Sequence, residues 1–185
     1  MNASANRKAE EATGLSVGSM VTDFSAVDLY GQSWSLYAAL EKGPVAVIFY
    51  RGQWCPVCNA HLKKLQDGLA SIQAKGAMVV AVSPERSEFL KRTQEKTGAE
   101  FALLYDEGYR ISDLFDLTFM PDSKARFMYN TVLGAKLKTA NTDDSERLPI
   151  PATYIIGTDR MVAWRHFDPD YKKRSSIEEI LAHLP

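Results

Sequence analysis

The chain holds two cysteines, Cys55 and Cys58, in the run Cys55-Pro56-Val57-Cys58. A thiolate is a nucleophile, and a second thiol one helical turn away can resolve what the first one forms. The pair therefore points to redox chemistry or to metal binding. Zinc would need two further ligands, and the histidines available are His61, His166 and His183, with no second close pair. A secreted disulfide scaffold would use more cysteines, spread along the chain. Thiol redox chemistry is the reading that remains favoured, and it calls for no cofactor and no metal.

The position of the motif matters more than its letters. Residues 44–50, Pro44-Val45-Ala46-Val47-Ile48-Phe49-Tyr50, are apolar and rich in β-branched and aromatic types, which predicts a strand buried on both faces. Gly52 marks a loop, and Cys55-Pro56 opens a helix. Cys58, Leu62, Leu65, Leu69 and Ile72 then recur at steps of four and three, until Gly76 ends the pattern. Backbone N–H groups at a helix start are unpaired and carry partial positive charge. A thiolate placed there is stabilised, from roughly 8.5 toward the range of about 3.5–7.5. Pro56 suits the first turn, where its missing N–H costs nothing. Cys55 is expected to be the exposed, attacking thiol and Cys58 the resolving one.

Nearby residues have two readings each. Arg51 either favours the thiolate or is a solvated loop arginine. Trp54 either covers the sulfur or simply packs. His61 is expected at the surface. Nothing in the periodicity ties Arg174 to the site. Pro151, in Leu148-Pro149-Ile150-Pro151, reads as the start of an edge strand or a rigid loop.

These residues need a scaffold. Residues 77–82 form a second buried strand, and strand-helix-strand implies a right-handed parallel pair. A helix over 86–96, a strand over 101–104 and a short helix around Ile111, Leu114 and Phe115 follow. Residues 119–149 are the least legible stretch, with 121–129 open to a helix and 141–145 a loop; long excursions of this kind are often functional. The turn Gly157-Thr158-Asp159-Arg160 joins a hairpin, and Ile177, Ile180, Leu181 and Leu184 mark a closing helix. Residues 1–14 read as a helical or flexible arm ahead of one domain over 15–185. The order is α/β with a mixed central sheet flanked by helices, which suggests the thioredoxin architecture.

The 185 residues carry a net charge of -1, with 45% hydrophobic and 24% charged residues, so neither nucleic acid nor an anionic membrane is an expected partner. The N-terminus lacks the apolar stretch of a secretory signal, and a cytoplasmic location is expected.

The segment Tyr50-Arg51-Gly52-Gln53-Trp54-Cys55-Pro56-Val57-Cys58-Asn59 resembles the signature of peroxiredoxin-like proteins. These form the alkyl hydroperoxide reductase and thiol-specific antioxidant group of the thioredoxin superfamily. Residues 17–24, 148–156 and 166–171 are similar to that group as well. The resemblance implies thiol-dependent peroxide reduction, with Cys55 as peroxidatic and Cys58 as resolving cysteine. It implies a thioredoxin-like or low-molecular-weight thiol as reductant. It also implies a cis Ile150-Pro151 bond facing Cys55, leaving the Ile150 backbone free for an extended substrate. Three positions depart from the pattern. Gly52 stands where such proteins carry Thr, Ile48 where they carry Pro, and Pro151 where they carry Arg. A thioredoxin-like exchange with protein disulfides therefore stays open as the alternative, as does pairing into a homodimer.

Overall fold

The computed structural model describes residues 6–185. A short hairpin of β1 (Ser25–Val27) and β2 (Ser33–Ser35) leads into α1 (Leu36–Leu40). Then come β3 (Val45–Phe49), α2 (Pro56–Ala74), β4 (Met78–Ser83), α3 (Ser87–Thr97) and β5 (Ala102–Tyr105). Next are α4 (Arg110–Leu114), β6 (Thr118–Phe119), α5 (Ser123–Thr131), α6 (Leu137–Ala140) and β7 (Leu148–Pro149). The hairpin β8 (Ala152–Ile156) and β9 (Val162–Phe167) precedes the final helix α7 (Ile177–His183).

The central sheet has the order β5-β4-β3-β8-β9. β3 runs parallel to β4, and β4 to β5, while β8 is antiparallel to β3 and to β9. β3 is buried throughout, and its side chains alternate between two cores. Ala46 and Ile48 pack with Leu62, Leu65 and Ile180 from the helices on one face. Val45, Val47 and Phe49 pack on the other, where Phe115 lies 4.9 Å from both the Phe49 and the Tyr154 rings. A strand at the sheet centre buries both faces, which is why its sequence is apolar without alternation.

Three regions differ from the sequence reading. Residues 36–40 form a helix that the sequence reading did not assign, capped by Ser35, which accepts the Ala38 N–H. The excursion over 119–149 is built of α5, α6 and the β6–β7 ladder. Polar side chains close it: Arg126 pairs with Glu146 at 2.9 Å, and Asn130 bridges Glu146 and the Leu137 N–H. Of the N-terminal arm, residues 6–14 are docked, with a single tight turn at Ala9–Glu11 and the Arg7 side chain bonded to the Thr118 carbonyl. The arm's first five positions lie outside the described residues.

The cis Ile150-Pro151 bond is a correction: every peptide bond among the described residues is trans. The Ile150 N–H donates to the Leu117 carbonyl at 2.8 Å, so the chain passes extended from β7 into β8 and its backbone is already paired. Trans is also the lower-energy form of an X–Pro bond, by about 0.5–1 kcal/mol.

Leu62 is fully buried beneath the cysteine turn of α2. Leu62→Ala should cost about 2–5 kcal/mol through lost burial and a residual cavity. Urea unfolding should show a lower midpoint with an unchanged slope.

Candidate active site

Cys55 is the N-cap of α2. Its sulfur accepts the Cys58 N–H at 3.3 Å, so the first turn of a 19-residue helix is closed by the thiol itself. Pro56 follows at the first helical turn, as the sequence required. The register Phe49↔Ala152 puts buried Pro151 at the same end of the sheet, where β3 releases the loop to Cys55.

Each sulfur also faces an arginine. Arg51 Nη2 donates to Cys55 Sγ at 3.2 Å, and Arg174 Nη2 donates to Cys58 Sγ at 3.3 Å. Arg51 is only 2% exposed. Its guanidinium lies 3.9 Å from the centre of the Tyr171 ring, 4.9 Å from Trp54 and 5.0 Å from Tyr129, and it donates to the Tyr129 hydroxyl at 3.1 Å. Such stacking stabilises a cation held away from water. Among the described residues, neither arginine has a carboxylate partner. Arg51 Nε and Arg174 Nη1 are buried donors without a hydrogen-bond acceptor.

Both thiols are free and 0% exposed. The expected exposure of Cys55 is therefore corrected: Arg51 sits on its sulfur and the three rings enclose Arg51. The two thiols titrate as one coupled pair through the contact between their sulfurs. Burial opposes a charge on Cys58, but the hydrogen bond from Cys55 and the charges of Arg174 and Arg51 outweigh it, holding this thiol well below its ordinary value. The bond to Cys58, burial and the charge on Cys58 outweigh Arg51 and push the Cys55 thiol up. The pair thus loses its first proton readily and holds the second.

The loop before Cys55 is tightly packed. A side chain on Gly52 would place its Cβ 2.5 Å from Trp54 Nε1 and 2.6 Å from Glu85 Oε1. The Thr of the resembling group cannot fit there without displacing the indole or the carboxylate. Trp54 is buried and stacks on Tyr129 at 4.9 Å, so it packs against the arginine. His61 is buried rather than at the surface. It meets the Ser175 carbonyl through Nε2 at 3.1 Å, and burial and Arg174 push its imidazole down to about 4. A neutral, internally bonded ring of this kind positions the 171–175 loop.

The structure brings together Cys55, Cys58, Arg51, Trp54 and Pro56. It adds Arg174, Tyr129, Tyr171 and Glu85. Tyr129 also borders a surface cleft of about 880 Å³, which runs along residues 6–10 and 119–129.

Removing a positive charge from a sulfur disfavours its ionised form. Arg174→Met should raise the midpoint of thiolate formation, followed by ultraviolet absorbance, by about 1–3 pH units. An unmoved titration curve would show that this guanidinium does not act on the pair.

Residues 17–165 match the AhpC/TSA family. Peroxiredoxin Bcp of Escherichia coli strain K12 is 29% identical over 101 residues, an alignment covering 55% of this chain and 64% of that protein. This chain thus spans less than two thirds of the length of that relative. Peroxidoxin BcpB from Mycobacterium tuberculosis superposes with a TM-score of 0.69 at 20% identity, over 91% of this chain and 92% of its own. The thioredoxin domain of a thiol-disulfide oxidoreductase from Bacteroides vulgatus gives 0.57 at 16% identity, over 85% and 93%. At those identities the likeness is one of fold, and the fold is that of thioredoxin. The family match takes in most of the sequence, including both cysteines and the whole of the central sheet but its last residues, and the chain belongs to the AhpC/TSA family.

Proposed function

We propose that this chain is a thiol peroxidase in which Cys55 attacks the peroxide and Cys58 resolves it. The observation that carries the reading is the Arg51 guanidinium. One of its nitrogens is bonded to Cys55 Sγ, and another, buried and without an acceptor, is available to a peroxide oxygen. Donors fixed where negative charge develops lower the barrier without reorganising.

Cys58 has two roles in this scheme. Held as the thiolate, it is the base that takes the Cys55 proton. The Cys55 thiolate then attacks the hydroxyl oxygen of ROOH, the O–O bond breaks, and the leaving oxygen takes the proton back from Cys58 to give ROH. The resulting sulfenic acid condenses with Cys58, releasing water and closing a disulfide. A thioredoxin-like or low-molecular-weight thiol returns both cysteines to the reduced state by exchange.

Burial separates this reading from exchange with protein disulfides. Both sulfurs are fully covered, and the Ile150 N–H is already paired with Leu117. A small peroxide needs little room, whereas any polypeptide, a protein reductant included, would have to displace Arg51 and Tyr171, so burial favours the peroxide as the first oxidant of the pair.

Intact mass after hydrogen peroxide tests the scheme. The native protein should lose two hydrogens, and Cys58→Ser should instead gain oxygen. Oxygen gain by the native protein, or disulfide-linked dimers alone, would remove Cys58 from the resolving role. Reaction with a model protein disulfide but not with peroxide would overturn the peroxidase in favour of the exchange enzyme.

Arg51→Met should lower the second-order rate constant for peroxide by about 10²–10³-fold, the usual cost of one oriented donor to a developing anion. Stopped-flow fluorescence of Trp54, which adjoins Cys55, reads that rate.

A further inference from the structure

Glu85 has no part in the scheme above, yet it is 0% exposed and packed against the loop that precedes Cys55. Its Oε2 accepts the Gln53 N–H at 2.8 Å, while Oε1 has no hydrogen-bond partner. Gly52 leaves room for that oxygen, since an added Cβ would lie 2.6 Å from it. Four groups face the carboxyl. Cys58 does so from α2, Arg92 and Lys96 from α3, and Tyr50 from the end of β3. Neither cation forms an ion pair with it among the described residues; Lys96 Nζ is held by the Gln53 carbonyl at 2.9 Å and its side-chain oxygen at 2.5 Å. Tyr50 is neutral, its hydroxyl pushed up by burial and then by Glu85.

The charges in this pocket change on oxidation. In the reduced state the buried Arg51 guanidinium and the half-buried Arg174 guanidinium face one thiolate. Closing the disulfide removes the thiolate and leaves both cations without an anion, which a low-dielectric interior strongly opposes. A carboxyl within electrostatic reach of Cys58 can supply the missing charge.

We propose that Glu85 is the proton source that keeps the buried charge of the site constant: it is protonated while the pair holds a thiolate and ionised once the disulfide has formed. The inference rests on the reading that Cys55 and Cys58 form a disulfide with each other. The reaction then balances within the site. Cys–SH, Cys–S⁻ and Glu85–COOH react with ROOH to give the disulfide, Glu85–COO⁻, ROH and water. Two electrons pass from sulfur to the peroxide oxygens. One proton from thiol and one from Glu85 accompany them, and the net charge is the same before and after.

In the reduced protein, burial raises the Glu85 carboxyl, the Gln53 N–H lowers it, and the Cys58 charge raises it again, to about 8 in all. Below that pH, reduction of the disulfide should take up two protons, one on sulfur and one on Glu85. Above it, reduction should take up one.

Equilibration with thiol–disulfide buffers on either side of pH 8 tests this. One proton per two electrons corresponds to about 30 mV per pH unit. The native protein should show ~60 mV per pH unit below pH 8, falling to ~30 mV above. Glu85→Gln keeps an acceptor for the Gln53 N–H and should show ~30 mV throughout. Parallel curves for the two proteins would overturn the proposal. A second measurement needs no variant: the infrared difference between reduced and oxidised native protein should show a protonated carboxyl band lost on oxidation. Its absence would equally overturn the proposal. Both readouts are independent of peroxide turnover, so a protein inert to peroxide but with these slopes loses only the peroxidase reading. A pair that forms no disulfide in these buffers overturns both.

Discussion

Two guanidinium groups, Arg51 buried and Arg174 half-buried, lack a carboxylate and need an anion, and the sulfurs of Cys55 and Cys58 are what this fold offers them. Arg51 stays protonated because the charge on the cysteine pair more than offsets the burial that disfavours its own. The dependence runs both ways, since the thiolate survives burial only beside the arginines and the open turn of α2. Distant parts of the chain exist, in this sense, to hold that arrangement. α5 supplies Tyr129 to Arg51, and the loop after β9 supplies Tyr171 and Arg174.

β3, α2 and β4 were legible because a buried parallel strand is apolar throughout and a core-facing helix repeats at three and four residues. Cys55 at a helix start was legible for the same reason: strand, glycine loop and helix pattern fall in one continuous stretch. The enclosure of the sulfur was not. Tyr129 lies 78 positions from Arg51, and Arg174 lies 116 positions from Cys58, so no local period relates them. The β6–β7 ladder is two residues long and contains Pro149, too short to show alternation. The helix terminus is visible in sequence, while the second arginine and the contact between the sulfurs, which also act on the acidity of the pair, are tertiary.

Gly52, one of the departures from the family pattern, has a geometric reason. Its missing side chain is what allows the Trp54 indole and the Glu85 carboxyl to close on the loop. Threonine there would force the indole or the carboxylate beside it to shift. Positions 52, 54 and 85 are then a single unit of inheritance, and a change at one is tolerated only against a matching change at another. Within a set of related sequences, a branched residue at 52 should coincide with a smaller side chain at 54 or 85. Lineages that keep the glycine and those that keep the threonine would be separated by a valley of poorly packed intermediates, with each confined to its own way of surrounding the sulfur.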